Sequence, residues 1–124
     1  MTSAAFRQLA LSLRFTEERA HMSHPDFRVA GKIFATMGYP RAGWAMVSLT
    51  PEDQTTFVQM QPEAFVPVKG KWGERGATNI ILRHAKPLAV RAALRAAHEA
   101  HLPPPAARVP GAASGRKRRD RRAT

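Results

Sequence analysis

Cysteine is absent from this 124-residue chain, which removes disulfides, thiolate metal sites and cysteine nucleophiles from consideration. Long apolar runs are absent too. None approaches the ~20 residues that span a bilayer, and the first 30 residues lack the apolar stretch and small-residue cleavage site of a secretory signal. A cytoplasmic protein with no membrane partner is the expectation. Acidic side chains are few: 9 Asp and Glu stand against 20 Lys and Arg, leaving a formal charge of +11 and a pI near 11.6. That balance favours polyanionic partners.

The surplus is unevenly spread. Residues 1–102 hold 13 basic and 8 acidic side chains, whereas residues 103–124 hold 7 basic and 1 acidic. The final segment, PPPAARVPGAASGRKRRDRRAT, combines four prolines, small residues and a basic cluster, and has almost nothing to bury. It is expected to be disordered. One folded domain over residues 1–102, with a core drawn from roughly 100 residues, is what remains.

Within that body, Thr2 and Ser3 can cap a helix reaching about Leu13, with Phe6, Leu9, Ala10 and Leu13 at helical spacing. FTEERAHM, residues 15–22, has the charged composition of an edge strand. DFRVA and KIFATM, joined at Gly31, read as a hairpin. Strict alternation in its second strand puts Ile33, Ala35 and Met37 on a core face and Lys32, Phe34 and Thr36 on the other. WAMVSL is a further strand, and Thr50 followed by Pro51, Glu52 and Asp53 starts a short helix that Pro62 ends. AFVPV can pair only as an edge or interrupted strand, because Pro67 has no amide hydrogen. After the basic loop KGKWGERG, ATNIIL is the last strand. A closing helix from about Lys86 to Leu102 carries Val90, Ala93, Leu94 and Ala97 as its core stripe and sets Arg91, Arg95 and His98 on another face. Helix, antiparallel strands and closing helix make an α+β fold.

The His24-Pro25 pair, Phe27-Arg28, Gly31-Lys32 and Phe34, followed in order by Trp72-Gly73 and Gly76, resemble the motifs of the MmcQ/YjbR family of small bacterial proteins over most of residues 4–102. The resemblance implies a compact α+β domain with a curved antiparallel sheet, likened to the "double wing" DNA-binding domain of the phage activator MotA, and hence DNA binding. One departure from the commoner family pattern is that Ala77 and Thr78 stand where an aromatic residue usually follows the last glycine.

Other chemistry is weaker in the sequence. His24 and Asp26 lie two residues apart but have no nucleophile with them. Turn and strand-entry roles, with Asp26 bonding nearby backbone, explain them better than catalysis. The pairs His21/His24 and His98/His101 are spaced i, i+3 without carboxylate companions, so no metal is expected, and the latter pair reads as helix surface. KGKWGERG lacks the GxxxxGK[ST] spacing of a nucleotide-phosphate loop. Its Lys69, Lys71 and Arg75 around Trp72 instead suit phosphate pairing with base stacking, unless Trp72 is a core anchor.

The expectation is therefore a non-enzymatic, cofactor-free monomer that binds nucleic acid, in the first place duplex DNA with low sequence specificity. Arg28, Lys32, Lys69, Lys71, Trp72 and Arg75 would form the body's contact surface. Arg116, Lys117, Arg118, Arg119, Arg121 and Arg122 would add salt-sensitive affinity from the tail. The alternative is a protein-interaction or regulatory module.

Overall fold

The computed structural model describes residues 1–21 and 23–103. The expected disordered tail and its six clustered cations lie, apart from residue 103, outside the described residues.

The first helix, α1, spans Ser3–Leu11 and is capped by Thr2, whose Oγ1 accepts from the Ala5 amide at 3.0 Å. Its buried Phe6 and Ala10 face the core. Six strands follow: β1 Glu17–His21, β2 His24–Val29, β3 Lys32–Met37, β4 Trp44–Ser48, β5 Phe65–Pro67 and β6 Ala77–Ile81. They form one antiparallel sheet in the order β1-β2-β3-β4-β6-β5. The charged β1 and the proline-bearing β5 occupy its two edges, where lost pairing costs least. The remaining helices are α2 Pro51–Met60, α3 Lys71–Glu74 and α4 Pro87–His101. Thr50 caps α2 through the Asp53 amide at 3.1 Å.

Helices α1, α2 and α4 pack on one face of the sheet, the two-layer arrangement of an α+β domain. In register across that face lie Ala35 beside Val47, Ala45 beside Ile80, and Ile80 beside Phe65, all fully buried. The opposite face carries Thr36, Met46, Asn79 and Val66 in a row. The last three of these are only half-buried, and among the described residues no helix packs there. None of the described helices is long and apolar enough to cross a membrane.

Two expectations fail, each for its own reason. Phe34 is fully buried instead of lying on the outer face, and Ile33 is the half-exposed residue. The pairing passes from Phe27 opposite Ala35 to Arg28 opposite Ile33, so Phe34 is one residue too many in β3. Such a bulge turns two successive side chains toward the same side and reverses the alternation beyond it. The second correction is His98, expected on the helix surface but buried to within 7%. Its ring meets Phe34 edge-on at 5.3 Å, and its Nε2–H donates to the Arg14 carbonyl at 2.7 Å. The position is one turn beyond Leu94 and belongs to the core stripe. A carbonyl acceptor makes an imidazole tolerable there.

Candidate nucleic-acid interface

The hairpin and the tryptophan motif reach the same end of the sheet. Val47 pairs with Ala35 and Ser48 with Ala77, so β3 and β6 both start at the end where β4 stops. Only β4 separates them, a gap of roughly 10 Å at the usual strand spacing. Beyond that end project the Ala30-Gly31 turn and the connection from Val68 to Gly76. Both turn residues are left-handed, φ 54° and 79°, as two-residue hairpin turns prefer.

The KGKWGERG segment is more ordered than a loop. It forms the one-turn helix α3, seated by two glycines. A Cβ on Gly73 would stand 1.6 Å from the Val68 carbonyl oxygen, and one on Gly76 would stand 1.9 Å from that of Leu49. Gly76 also has φ 116°, outside the range L side chains favour. With Gly73 turned inward, its neighbour turns outward: Trp72 is 67% exposed, which excludes a core-anchor role. Lys69, Lys71 and Arg75 are exposed beside it. So is Lys32, and among the described residues none of these four cations is held in an ion pair. Acidic groups interrupt the surface, since Glu52 and Asp53 open α2 at this end and Glu74 lies within α3.

Gln54 holds the turn from beneath. Its Nε2 donates toward the Gly73 carbonyl at 2.9 Å, the Ala77 carbonyl at 3.0 Å and Thr78 Oγ1 at 3.2 Å. Thr78 in turn donates to the Gly76 carbonyl at 2.9 Å. Removing the amide strands acceptors that water reaches poorly, so Gln54→Ala is expected to cost about 1–3 kcal/mol. Urea denaturation measures that loss, and hydrogen exchange should show the Glu74–Gly76 amides opening faster. Unchanged stability and exchange would show that the bracket does not hold the turn.

Arg28 is differently placed. Its guanidinium binds Asp26 through both oxygens, Nε to Oδ1 at 2.9 Å and a terminal nitrogen to Oδ2 at 3.1 Å. Asp26 is fully buried, and the Arg28 guanidinium is one of its partners. The hydrogen bond to Asp26, and the negative charge of Asp26 and Glu17, hold the Arg28 guanidinium's pKa above its ordinary value against the opposing effect of burial. Arg28 pairs with Ile33 and Val29 with Lys32, so beyond the bulge Arg28 and Lys32 point to opposite faces. The structure thus groups Lys32 with Lys69, Lys71, Trp72 and Arg75 at one end and sets Arg28 apart on the open face. Arg116, Lys117, Arg118, Arg119, Arg121 and Arg122 lie outside the described residues.

Sequence reasoning passed over the other end of the sheet. There Tyr39, 63% exposed, meets His24 edge-on at 5.6 Å, and the Arg41 guanidinium lies 5.5 Å over the Trp44 ring. The Leu82 amide bonds the Gly43 carbonyl at 3.1 Å, which brings exposed Arg83 and His84 beside that loop. The signal was GYPRAGW itself, a turn containing two rings and an arginine. Among the described residues no group of three or more His, Asp or Glu is arranged to hold a metal.

No curated protein and no solved structure matches the chain at a significant level. A family profile does: the YjbR model covers residues 11–100, which spans both motifs and all six strands of the sheet. With well over half of its length matched in this way, the chain belongs to the YjbR family.

Proposed function

We propose that the domain binds nucleic acid, in the first place duplex DNA, through phosphate contacts and without catalysing a reaction. One observation carries this reading. Lys69, Lys71 and Arg75 surround an exposed tryptophan on a turn whose backbone is pinned by Gly73, Gly76 and Gln54, and Lys32 extends from the same end. Cations on a fixed support lose little freedom when they meet phosphate, and an indole that covers no core is available to lie against a sugar or base. The six clustered tail cations would add affinity of the same salt-sensitive kind.

The test compares the full chain with a Lys32→Ala/Lys71→Ala/Arg75→Ala variant on one duplex at several salt concentrations. Each lost phosphate contact lowers the slope of log K against log salt by about 0.9. A drop of roughly 2–3 in slope, with weaker binding at low salt, is expected for the variant. A chain ending at residue 102 should keep weak duplex binding that the same substitutions reduce further. An unchanged slope in the variant would sink the reading. The open sheet face supports the second reading, a protein-interaction module, because Met46, Ile81 and Val66 are half-exposed there and, among the described residues, no helix lies over them. Salt-tolerant binding to one protein, with no duplex binding, would select it.

A further inference from the structure

Between the C-terminal ends of α1 and α4 lies a cleft of about 460 Å³ that plays no part in the surface described above. A shallower depression of about 170 Å³ shares its Ser12, Leu13 and Arg95 and extends it to Arg91. A concavity of this size suits a small molecule. Leu13 and Leu102 supply apolar wall, and Arg14, Arg91 and Arg95 supply charge. All three arginines are exposed, and among the described residues none is in an ion pair. Glu99, the one acidic group lining the cleft, already has an interaction of its own.

Phe15 marks the cleft as more than a gap between helices. It is 66% exposed and has φ 61°, a left-handed conformation that a bulky side chain adopts only under strain. A strained residue that buries little contributes nothing to the core, and such strain is concentrated where a surface has a task. The Arg14 guanidinium lies 5.4 Å from the ring centroid over one face, and two-thirds exposure leaves the other face open. The support is rigid. His98, buried in α4, holds the Arg14 carbonyl at 2.7 Å and so ties this segment to the helix that bears Arg91 and Arg95.

Forked guanidinium donors suit a phosphate, and an open aromatic face backed by a cation suits a flat ring. We propose that the cleft binds a nucleotide unit, with its phosphate on Arg95 and Arg91 and its base on the free face of Phe15. The unit is either a free nucleotide or one belonging to a single strand, since both present the same chemistry. The site shares no residue with the proposed duplex surface and stands or falls separately.

The experiment titrates the full chain with adenosine monophosphate, adenosine and inorganic phosphate, following backbone amide shifts. The monophosphate should saturate and move signals in residues 12–15 and 95–102, with adenosine or phosphate alone at least about ten-fold weaker. Phe15→Ala and Arg95→Ala should each weaken it on the order of ten-fold, while Lys71→Ala/Arg75→Ala binds as the parent does. A short single strand that displaces the monophosphate from these signals supports the site and identifies the strand as its source. A strand that does not displace it supports the free nucleotide. Phe15→Gly relieves the backbone and should lose binding with Tm unchanged or raised. No saturable shift at millimolar monophosphate, phosphate alone binding equally well, or full affinity in Phe15→Ala would overturn the proposal. A marked fall in Tm for Phe15→Gly would assign the residue to the fold and overturn it as well.

Discussion

Replacing Gly73 or Gly76 with alanine is expected to destabilise the domain by about 3 kcal/mol or more, the upper range for forcing a group into a filled site. Each new methyl would meet a backbone carbonyl, Val68 at 1.6 Å or Leu49 at 1.9 Å, and neither can swing aside like the tip of a long side chain. Relief requires moving the end of β5 or the β4–α2 junction, and both are tied to β6 through its first residues. At roughly 4–8 °C per kcal/mol for a domain of this size, the thermal midpoint should fall by about 12 °C or more. Trp72→Ala is the control. The ring is two-thirds exposed, so its loss should change stability by about 0.5 kcal/mol or less while affecting binding. Thermal melts of the three variants decide the matter, and a Gly73→Ala midpoint within a few degrees of the parent would refute the tight seating of α3.

Phe34→Ala is expected to cost about 3–5 kcal/mol, whereas Ile33→Ala should cost about 1 kcal/mol. Phe34 is fully buried and meets the His98 ring at 5.3 Å, so truncation leaves a cavity beside a buried polar ring. Ile33 is half-buried on the open face. Regular alternation along β3 predicts the reverse order, with Ile33 the costly residue. Urea midpoints for the two variants therefore test the bulge without any structural measurement, and a larger loss at Ile33 would rule it out.

Much of the scaffold was legible because its signals are local. The Thr2 and Thr50 caps, the Pro51 start, the charged edge strand and the proline-bearing edge strand each depend on a few neighbouring residues. The motif residues of the YjbR family were legible as well, and the match to residues 11–100 bears that out. What escaped the sequence depends on contacts distant along the chain. A period-two pattern carries no mark of an extra residue, so Phe34 and Ile33 were exchanged. His98 looked like surface because its acceptor, the Arg14 carbonyl, lies 84 residues away. Trp72 could be core or surface until the glycine contacts fixed which side of α3 faces inward. The Arg28–Asp26 pair was within reach, since residues two apart on a strand share a face.

That pair changes what an approaching polyanion meets. A lone guanidinium acts at a distance as a single positive pole, and its field reaches about a Debye length, ~8 Å at physiological salt. Held at 2.9 Å from the Asp26 carboxylate, the Arg28 guanidinium is one half of a dipole, and its field fades faster than a single charge's with distance. Counting arginines across the open sheet face therefore overstates its attraction. On the sheet itself, the cations that are in no ion pair among the described residues stand at its ends, Lys32, Lys69, Lys71 and Arg75 on one side and Arg41 and Arg83 on the other, so an anion approaching the open face would meet its positive charge at the rims and not in the middle.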